Sequence, residues 1–138
     1  AIIAGISVGT LVSLGSALAL TVAMGLTREQ YVTLLPKSVT TAISMDVAAE
    51  LGGIAALTGA IVILTGIAGN LLAETVCKVF HITDPIAKGV GIGTSAHAVG
   101  TSKALQMGEV EGAMSGLSIA VAGVLTAVLC PVFVNFIN

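Results

Sequence analysis

Three long stretches of this 138-residue chain contain no Asp, Glu, Lys, Arg or His: residues 1–26, 51–73 and 112–138. Each is longer than the roughly 18 apolar residues that a helix needs to cross a hydrocarbon core about 30 Å thick. The first lacks a basic leading region and exceeds the apolar core of a signal peptide, which favours a membrane span. We therefore predict three transmembrane helices, within 1–26, 51–80 and 112–138. Because the chain begins inside an apolar helix, we also expect it to be a piece of a longer protein.

The overall composition is typical of a membrane protein. Hydrophobic residues make up 56% of the chain, charged residues make up 9%, and the mean hydropathy is +1.10, whereas about a quarter of the residues in a soluble domain are charged. A net charge of −2 offers no basic surface for nucleic acid. Cys77 and Cys130 form no CxxC motif and accompany no His cluster, so we expect two buried thiols and neither a metal nor a cofactor.

Residues 27–50, between the first two spans, predict a broken helix. Pro36 has no backbone N–H and disfavours helix at the residue before it, so the first helical piece should end at Leu35. An apolar stripe with a spacing of four residues begins at Val39, and Ser38 is suited to cap this second piece.

Residues 83–111 predict a second broken helix. Asp84 and Pro85 are suited to begin it. Three glycines between positions 89 and 93 would loosen it, and Thr94 or Ser95 could cap its second half.

Each broken segment is followed by one span, which makes a repeated unit. If each segment enters and leaves the membrane on one side, a unit crosses the membrane once and the two copies have opposite orientations, as in many transporters. The short helical pieces favour re-entrant hairpins, and full crossings with unwound centres are the alternative. The predicted fold is an all-α integral membrane domain over 1–138, with three transmembrane helices, two broken or re-entrant segments and an inverted repeat.

The two helix breaks indicate a binding site, because irregular backbone at membrane depth is stable only inside protein or beside a watery cavity. The N-terminus of a half-helix presents free N–H groups and the positive end of its dipole, which suits a carboxylate. If both tips meet at the centre of the membrane, their polar side chains would surround a small anion. The candidate substrate-binding residues are Lys37, Ser38, Thr40, Thr41, Thr94, Ser95, His97, Thr101 and Lys103.

The charged candidates also have structural interpretations. Lys37 and Lys103 could complete an anion site or extend to the membrane surface. His97 could be an ordinary buried histidine, but at membrane depth it is also a candidate for substrate binding or proton transfer. Asp46 could couple a cation or lie in a solvated loop. No catalytic residues and no enzyme activity are predicted, because Ser95 and His97 would face different sides of a helix and no phosphate-binding motif is present.

The sequences of the two breaks resemble a known family. LPKSVTT at 35–41 and GTSAHAVGTSKA at 93–104, with DPIA at 84–87 and EGA at 111–113, are similar to the signatures of the LrgB/CidB family, antiholin-like proteins related to plastid glycolate/glycerate transporters. The resemblance covers the chain from about residue 27 onward and is to the C-terminal part of the longer family members.

The resemblance implies two functions. One is secondary transport of a small monocarboxylate such as pyruvate, lactate or glycolate, in the bacterial inner membrane. The other is antiholin-like regulation of murein hydrolase export and lysis. Expected partners are the carboxylate anion, an LrgA/CidA-like membrane protein or the missing N-terminal half, and further copies in a homo-oligomer. The polar helix breaks favour transport, since an oligomeric lesion needs no anion site; a passive channel is a third alternative.

Overall fold

The computed structural model describes residues 1–137, and this part of the chain is helical without strands. The predicted all-α membrane fold is confirmed. Six α-helices and a terminal 3-10 turn (Val134–Phe136) follow one another along the chain: α1 (Ile2–Met24), α2 (Arg28–Leu34), α3 (Thr41–Glu50), α4 (Ala55–Val79), α5 (Pro85–Met107) and α6 (Glu109–Phe133).

Three helices, α1, α4 and α6, are long and apolar enough to cross a membrane. Their 23 to 25 residues correspond to about 35 to 38 Å at 1.5 Å per residue. Large apolar side chains such as Leu64 and Val124, each 66% exposed, cover their outer surfaces. In a membrane these side chains face lipid tails as apolar as themselves.

α4 lies within the predicted range 51–80, whereas α6 starts before the predicted range 112–138. α4 begins at Ala55, because Gly52 adopts a positive φ of 87° and the Gly53 N–H donates to the Ala48 carbonyl, which ends α3 in a tight turn. α6 begins earlier than expected, at Glu109, so that Glu109 and Glu111 lie in its first turn. Acidic side chains there are favoured by the helix dipole.

The three long helices alternate in direction. Near the end of α1, Met24 lines the same groove as Leu57 near the start of α4; we call this the upper end of the molecule. Near the start of α1, a Cβ on Gly5 would contact Val90 of α5. A Cβ on Gly89 would meet Met114, near the start of α6. This is the lower end, so α1 and α6 run upward and α4 runs downward.

The first broken segment is a hairpin that enters from the upper end. A capping box formed by Thr27 and Gln30 starts α2, and the chain turns after Pro36 before α3 returns. A hydrogen bond shows that the chain after α3 returns to the upper end: Oγ1 of Thr33 in α2 accepts from the Ile54 N–H, just before α4, at 2.9 Å. At the tip, Ser38 bonds Ser13 at the middle of α1. The re-entrant arrangement is therefore favoured over a full crossing.

Ser38 was the predicted N-cap of the second piece, and this prediction is wrong. α3 begins at Thr41, with Thr40 at the N-cap position and without a side-chain capping bond. The later start of α3 has a local cause. The Ser44 hydroxyl donates to the carbonyls of Pro36 and Val39, at 2.7 and 3.2 Å, and holds the residues before α3 in a separate turn.

The second broken segment is a hairpin that enters from the lower end. Asp84 accepts from the Ala87 N–H, and Pro85 occupies the first turn, as predicted. The two halves of α5, 85–96 and 98–107, meet at His97, whose φ of 42° and ψ of −142° are not helical. Both halves lie beside the same region of α6, since a Cβ on Gly93 would meet Ser118 and the Thr101 hydroxyl lies 2.7 Å from that of Ser115.

The prediction that Thr94 or Ser95 caps the second half of this hairpin is also wrong. Both residues precede the break and belong to the ascending half of α5. Their hydroxyls donate back to the carbonyls of Val90 and Gly91, at 2.8 and 2.7 Å, as occurs inside helices. Gly93, expected to loosen the helix, instead allows close packing on α6.

The two repeat units thus have opposite orientations. The unit α2–α3–α4 begins at the upper end and the unit α5–α6 begins at the lower end, as the inverted repeat predicts. Both hairpin tips stop near the middle of the long helices, where residues of the two tips line one cavity. Cys77 and Cys130 are buried free thiols, as expected.

Candidate binding site between the hairpin tips

A cavity of about 260 Å³ lies between α1, the tip of the first hairpin and the ascending half of α5. This volume is slightly below the usual range for drug-sized ligands, so it suits a smaller molecule. The lining is rich in hydroxyl groups and contains one cation. Its residues are Gly9, Val12, Ser13, Ser16, Lys37, Ser38, Thr94 and Ser95.

Lys37 provides the only formal charge in this lining. Its Nζ lies 3.3 Å from Ser38 Oγ and 3.5 Å from Ser13 Oγ, and the Ser13 hydroxyl donates to Ser38 Oγ at 2.6 Å. Within residues 1–137 no carboxylate forms an ion pair with this ammonium group. A half-buried cation held by hydroxyl groups alone is costly, and an anion would offset that cost.

The opposite wall is formed by the ascending half of α5, packed tightly against α1. A Cβ on Gly9 would lie 2.6 Å from Thr94 Oγ1, so only glycine permits this approach. Because Thr94 and Ser95 donate their hydroxyl protons to helix carbonyls, their oxygens keep only the capacity to accept further hydrogen bonds. This wall accepts hydrogen bonds, whereas the wall with Lys37 donates them.

His97 lies at the tip of the second hairpin but not in the cavity lining. It is 2% exposed, and its Nε2 is 2.8 Å from the Val62 carbonyl of α4, which requires the proton on Nε2. Its carbonyl accepts from the Thr101 hydroxyl at 3.0 Å, and Gly66 leaves room for the ring. A positive φ on a non-glycine residue is strained, so these contacts stabilise the turn.

The other predicted candidates lie elsewhere. Thr41 packs near Gly59 of α4, Thr40 occupies the N-cap of α3, and Asp46 is exposed on α3. Lys103 forms an ion pair with Glu74 of α4, with 2.6 Å between Nζ and Oε1. The structure therefore brings together four of the predicted side chains, Lys37, Ser38, Thr94 and Ser95, and separates them from Thr40, Thr41, Thr101 and Lys103.

Two lining residues, Ser13 and Ser16, were missed because they lie in an uncharged span. The available signal was the pair of hydroxyl residues at i and i+3, following Gly9 on α1. Within residues 1–137 no group of His, Cys, Asp and Glu side chains is arranged to hold a metal ion.

These features define an integral membrane protein of the inverted-repeat type, with two re-entrant hairpins and a lysine between their tips. The chain belongs to the LrgB-like family, whose model matches residues 1–136. The predicted family resemblance is confirmed, and it extends over α1 as well.

Curated relatives include the antiholin-like proteins LrgB of Bacillus mycoides (strain KBAB4), Bacillus cereus (strain B4264) and Bacillus anthracis (strain CDC 684 / NRRL 3495). Each is 37% identical over 137 residues, which cover 99% of this chain and 60% of the relative. The chain thus spans about three fifths of the length of these relatives. No solved structure matches it.

Proposed function

We propose that this chain handles the substrate of a secondary transporter for small monocarboxylates, located in the bacterial inner membrane. The observation that carries the proposal is Lys37, a cation without a carboxylate partner among residues 1–137, in a small cavity between two oppositely oriented hairpins. Such helix breaks at the repeat interface are typical positions for transporter substrates.

In the proposed complex the carboxylate lies against Lys37, Ser38 and Ser13. These groups are already within hydrogen-bond distance of one another, so an anion can join an existing polar cluster. α3 begins three residues after Ser38 without a side-chain cap, and the positive end of its dipole would add to the attraction.

The rest of the substrate would face Thr94 and Ser95. If these hydroxyls keep their bonds to the helix carbonyls, they can accept a hydrogen bond from the substrate but do not donate one. This polarity favours a short 2-hydroxy acid such as lactate or glycolate over a 2-oxo acid such as pyruvate.

A proton or cation would accompany the substrate in this mechanism. His97 is the candidate for proton transfer, because it is an ionisable group at the tip of the second hairpin, two residues from the cavity residue Ser95. Asp46 is a second candidate on the exposed face of α3. Opposed movements of the two repeat units would expose the cavity alternately at the two ends.

Uptake into proteoliposomes containing the full-length protein tests this function. We expect labelled lactate or glycolate to accumulate, and a pH gradient to raise the accumulated amount. An unrelated membrane protein reconstituted in parallel measures passive leakage. Absence of uptake for lactate, glycolate and pyruvate, with correctly inserted protein, would contradict the proposal.

The second candidate function is antiholin-like regulation of murein hydrolase export and lysis. It is favoured by the names of the Bacillus relatives, which are antiholin-like proteins. It would involve an LrgA/CidA-like membrane partner and assembly into homo-oligomers. Release of a trapped dye from vesicles, without carboxylate uptake, would support this alternative, whereas uptake without dye release would support transport.

A further inference from the structure

A larger cavity opens at the lower end of the molecule. Its volume is about 590 Å³, and its lining includes Glu74, Lys78, His81 and Lys88. Lys78 is 80% exposed and marks the outer rim, whereas the Lys88 side chain is 23% exposed. We call this cavity the vestibule.

A groove of about 300 Å³ between α4 and α5 adjoins the vestibule. The two share the lining residues Cys77, Ile82 and Lys88, so Lys88 lies at their junction. The lining of the groove also includes Ser95, an exposed residue that lines the central cavity with Lys37. The three spaces therefore form a series from the lower end to the candidate site.

An apolar cluster lies toward the upper end. Leu14, Tyr31, Leu35 and Cys130 are each at most 1% exposed and belong to this one buried cluster. The Tyr31 hydroxyl also donates to the Phe133 carbonyl at 2.9 Å and joins α2 to the end of α6. Among residues 1–137, the groove found at the upper end shares no lining residue with the central cavity.

Lys88 adds a positive charge where the route narrows. Its Nζ lies 4.0 Å from Oε1 of Glu111 and forms an ion pair with this largely buried carboxylate, but the separation is too long for a direct hydrogen bond. The N–H groups of Lys88 can therefore also donate to a passing anion. The groove beyond it is mostly apolar, including Leu72, Val76 and Ile92, so the charge is weakly screened there.

We propose that the vestibule and groove are the one-sided access route to the central cavity, and that Lys88 is a second anion-binding residue on this route. The structure then represents a state open toward the lower end and closed toward the upper end. That the anion on this route is a carboxylate rests on the proposed transport function. The accessibility of the route can be tested in a protein that transports nothing.

Cysteine labelling in vesicles containing the full-length protein measures whether water-soluble reagents reach this route, and from which side of the membrane. The variants Ser95→Cys and Leu71→Cys are made in a Cys77→Ala parent, and an anionic or a cationic thiosulfonate reagent is added from each side. Leu71 is a matched control, because it is 73% exposed on the apolar outer surface, where a thiol faces lipid. Cys130 is fully buried, and labelling of the parent measures its background.

We expect Ser95→Cys to react from one side only, at least about tenfold faster than Leu71→Cys, and faster with the anionic reagent, since thiolates react only where water reaches them. Lys88→Gln should lower the ratio of anionic to cationic rates at least about threefold. Arg28→Gln removes an equal charge at the upper end and should leave the ratio unchanged. In protein without substitutions, Cys77 should react from the same side as Ser95→Cys.

Equal reaction of Ser95→Cys from both sides, or a rate as low as that of Leu71→Cys, would overturn the route. If Lys88→Gln leaves the ratio of anionic to cationic labelling rates unchanged, the anion-binding role of Lys88 is overturned. A purely structural ion pair does not distinguish an anionic reagent from a cationic one. One-sided, Lys88-dependent labelling in a protein that takes up no carboxylate would support the route and contradict the proposed transport function.

Discussion

The two hairpin tips have the same position in the inverted repeat, yet they are built differently. The first breaks at Pro36, and the residues after the break, Lys37 and Ser38, line the cavity. The second breaks at His97, without proline, and its side chain bonds the Val62 carbonyl of the neighbouring helix. The two tips are therefore related by the fold but differ in chemistry. The first tip supplies the positive charge of Lys37, and the second tip is held in place by packing.

The largest effect should come from removing the charge of the first tip. Lys37→Gln should lower carboxylate uptake about 100-fold, because a desolvated ion pair with the substrate is lost. Arg28→Gln is the matched control, since Arg28 is exposed at the start of α2, away from the cavity and from the vestibule, and it should retain most of the uptake. Uptake by proteoliposomes with equal protein content measures both. Similar losses in the two variants would show that the effect is not specific to the lysine at the tip.

A second prediction concerns the close contact between α1 and the second hairpin. Gly9→Ala places a Cβ 2.6 Å from Thr94 Oγ1 and should lower the free energy of unfolding by about 1–3 kcal/mol. Gly15→Ala is a control on the same helix, because nothing lies within 4 Å of its Cβ position. Thermal unfolding in detergent should show a lower Tm for Gly9→Ala alone. Equal Tm values would argue against tight packing at this wall.

The third prediction tests whether the second tip is held mainly by packing. His97→Ala removes the bond to Val62 and keeps a strained positive φ, so it should destabilise the protein by about 1–3 kcal/mol. His97→Gly loses the same bond but tolerates the backbone conformation, and it should be the more stable of the two. Unfolding measurements compare them.

Carboxylate uptake by His97→Gly distinguishes a structural role of His97 in the turn from a role in proton transfer. If His97 only holds the turn, uptake should recover in His97→Gly relative to His97→Ala. If His97 transfers the proton, both variants should lose the response to a pH gradient while substrate binding persists.

The smallest expected effect concerns the accepting wall of the cavity. Lactate should compete for uptake more strongly than pyruvate, by about tenfold or less, since one hydrogen bond contributes about 1 kcal/mol. Ser95→Ala should reduce this preference, and Ser102→Ala, whose hydroxyl donates to Val99 on the other half of α5, should not. Stronger competition by pyruvate would contradict the assigned polarity of the wall.

The sequence by itself determined the parts of the fold that depend on local composition. Uncharged stretches long enough to cross a membrane predicted α1, α4 and α6, because charged residues are expensive in a hydrocarbon core. Pro36 ended the first helical piece, and Asp84 with Pro85 began α5, since both effects act on the adjacent backbone. The motifs around both breaks also identified the family.

Only the tertiary structure decided which polar groups share a cavity. The second break falls at His97 instead of Thr94 because contacts with Val62 and Gly66 of α4, far away in sequence, stabilise a conformation that histidine alone does not favour. Lys37 and Lys103 both lie in broken segments, but only Lys103 meets a carboxylate, supplied by α4. Local patterns specify where a helix breaks or begins, whereas the partners of each side chain depend on how separate helices pack.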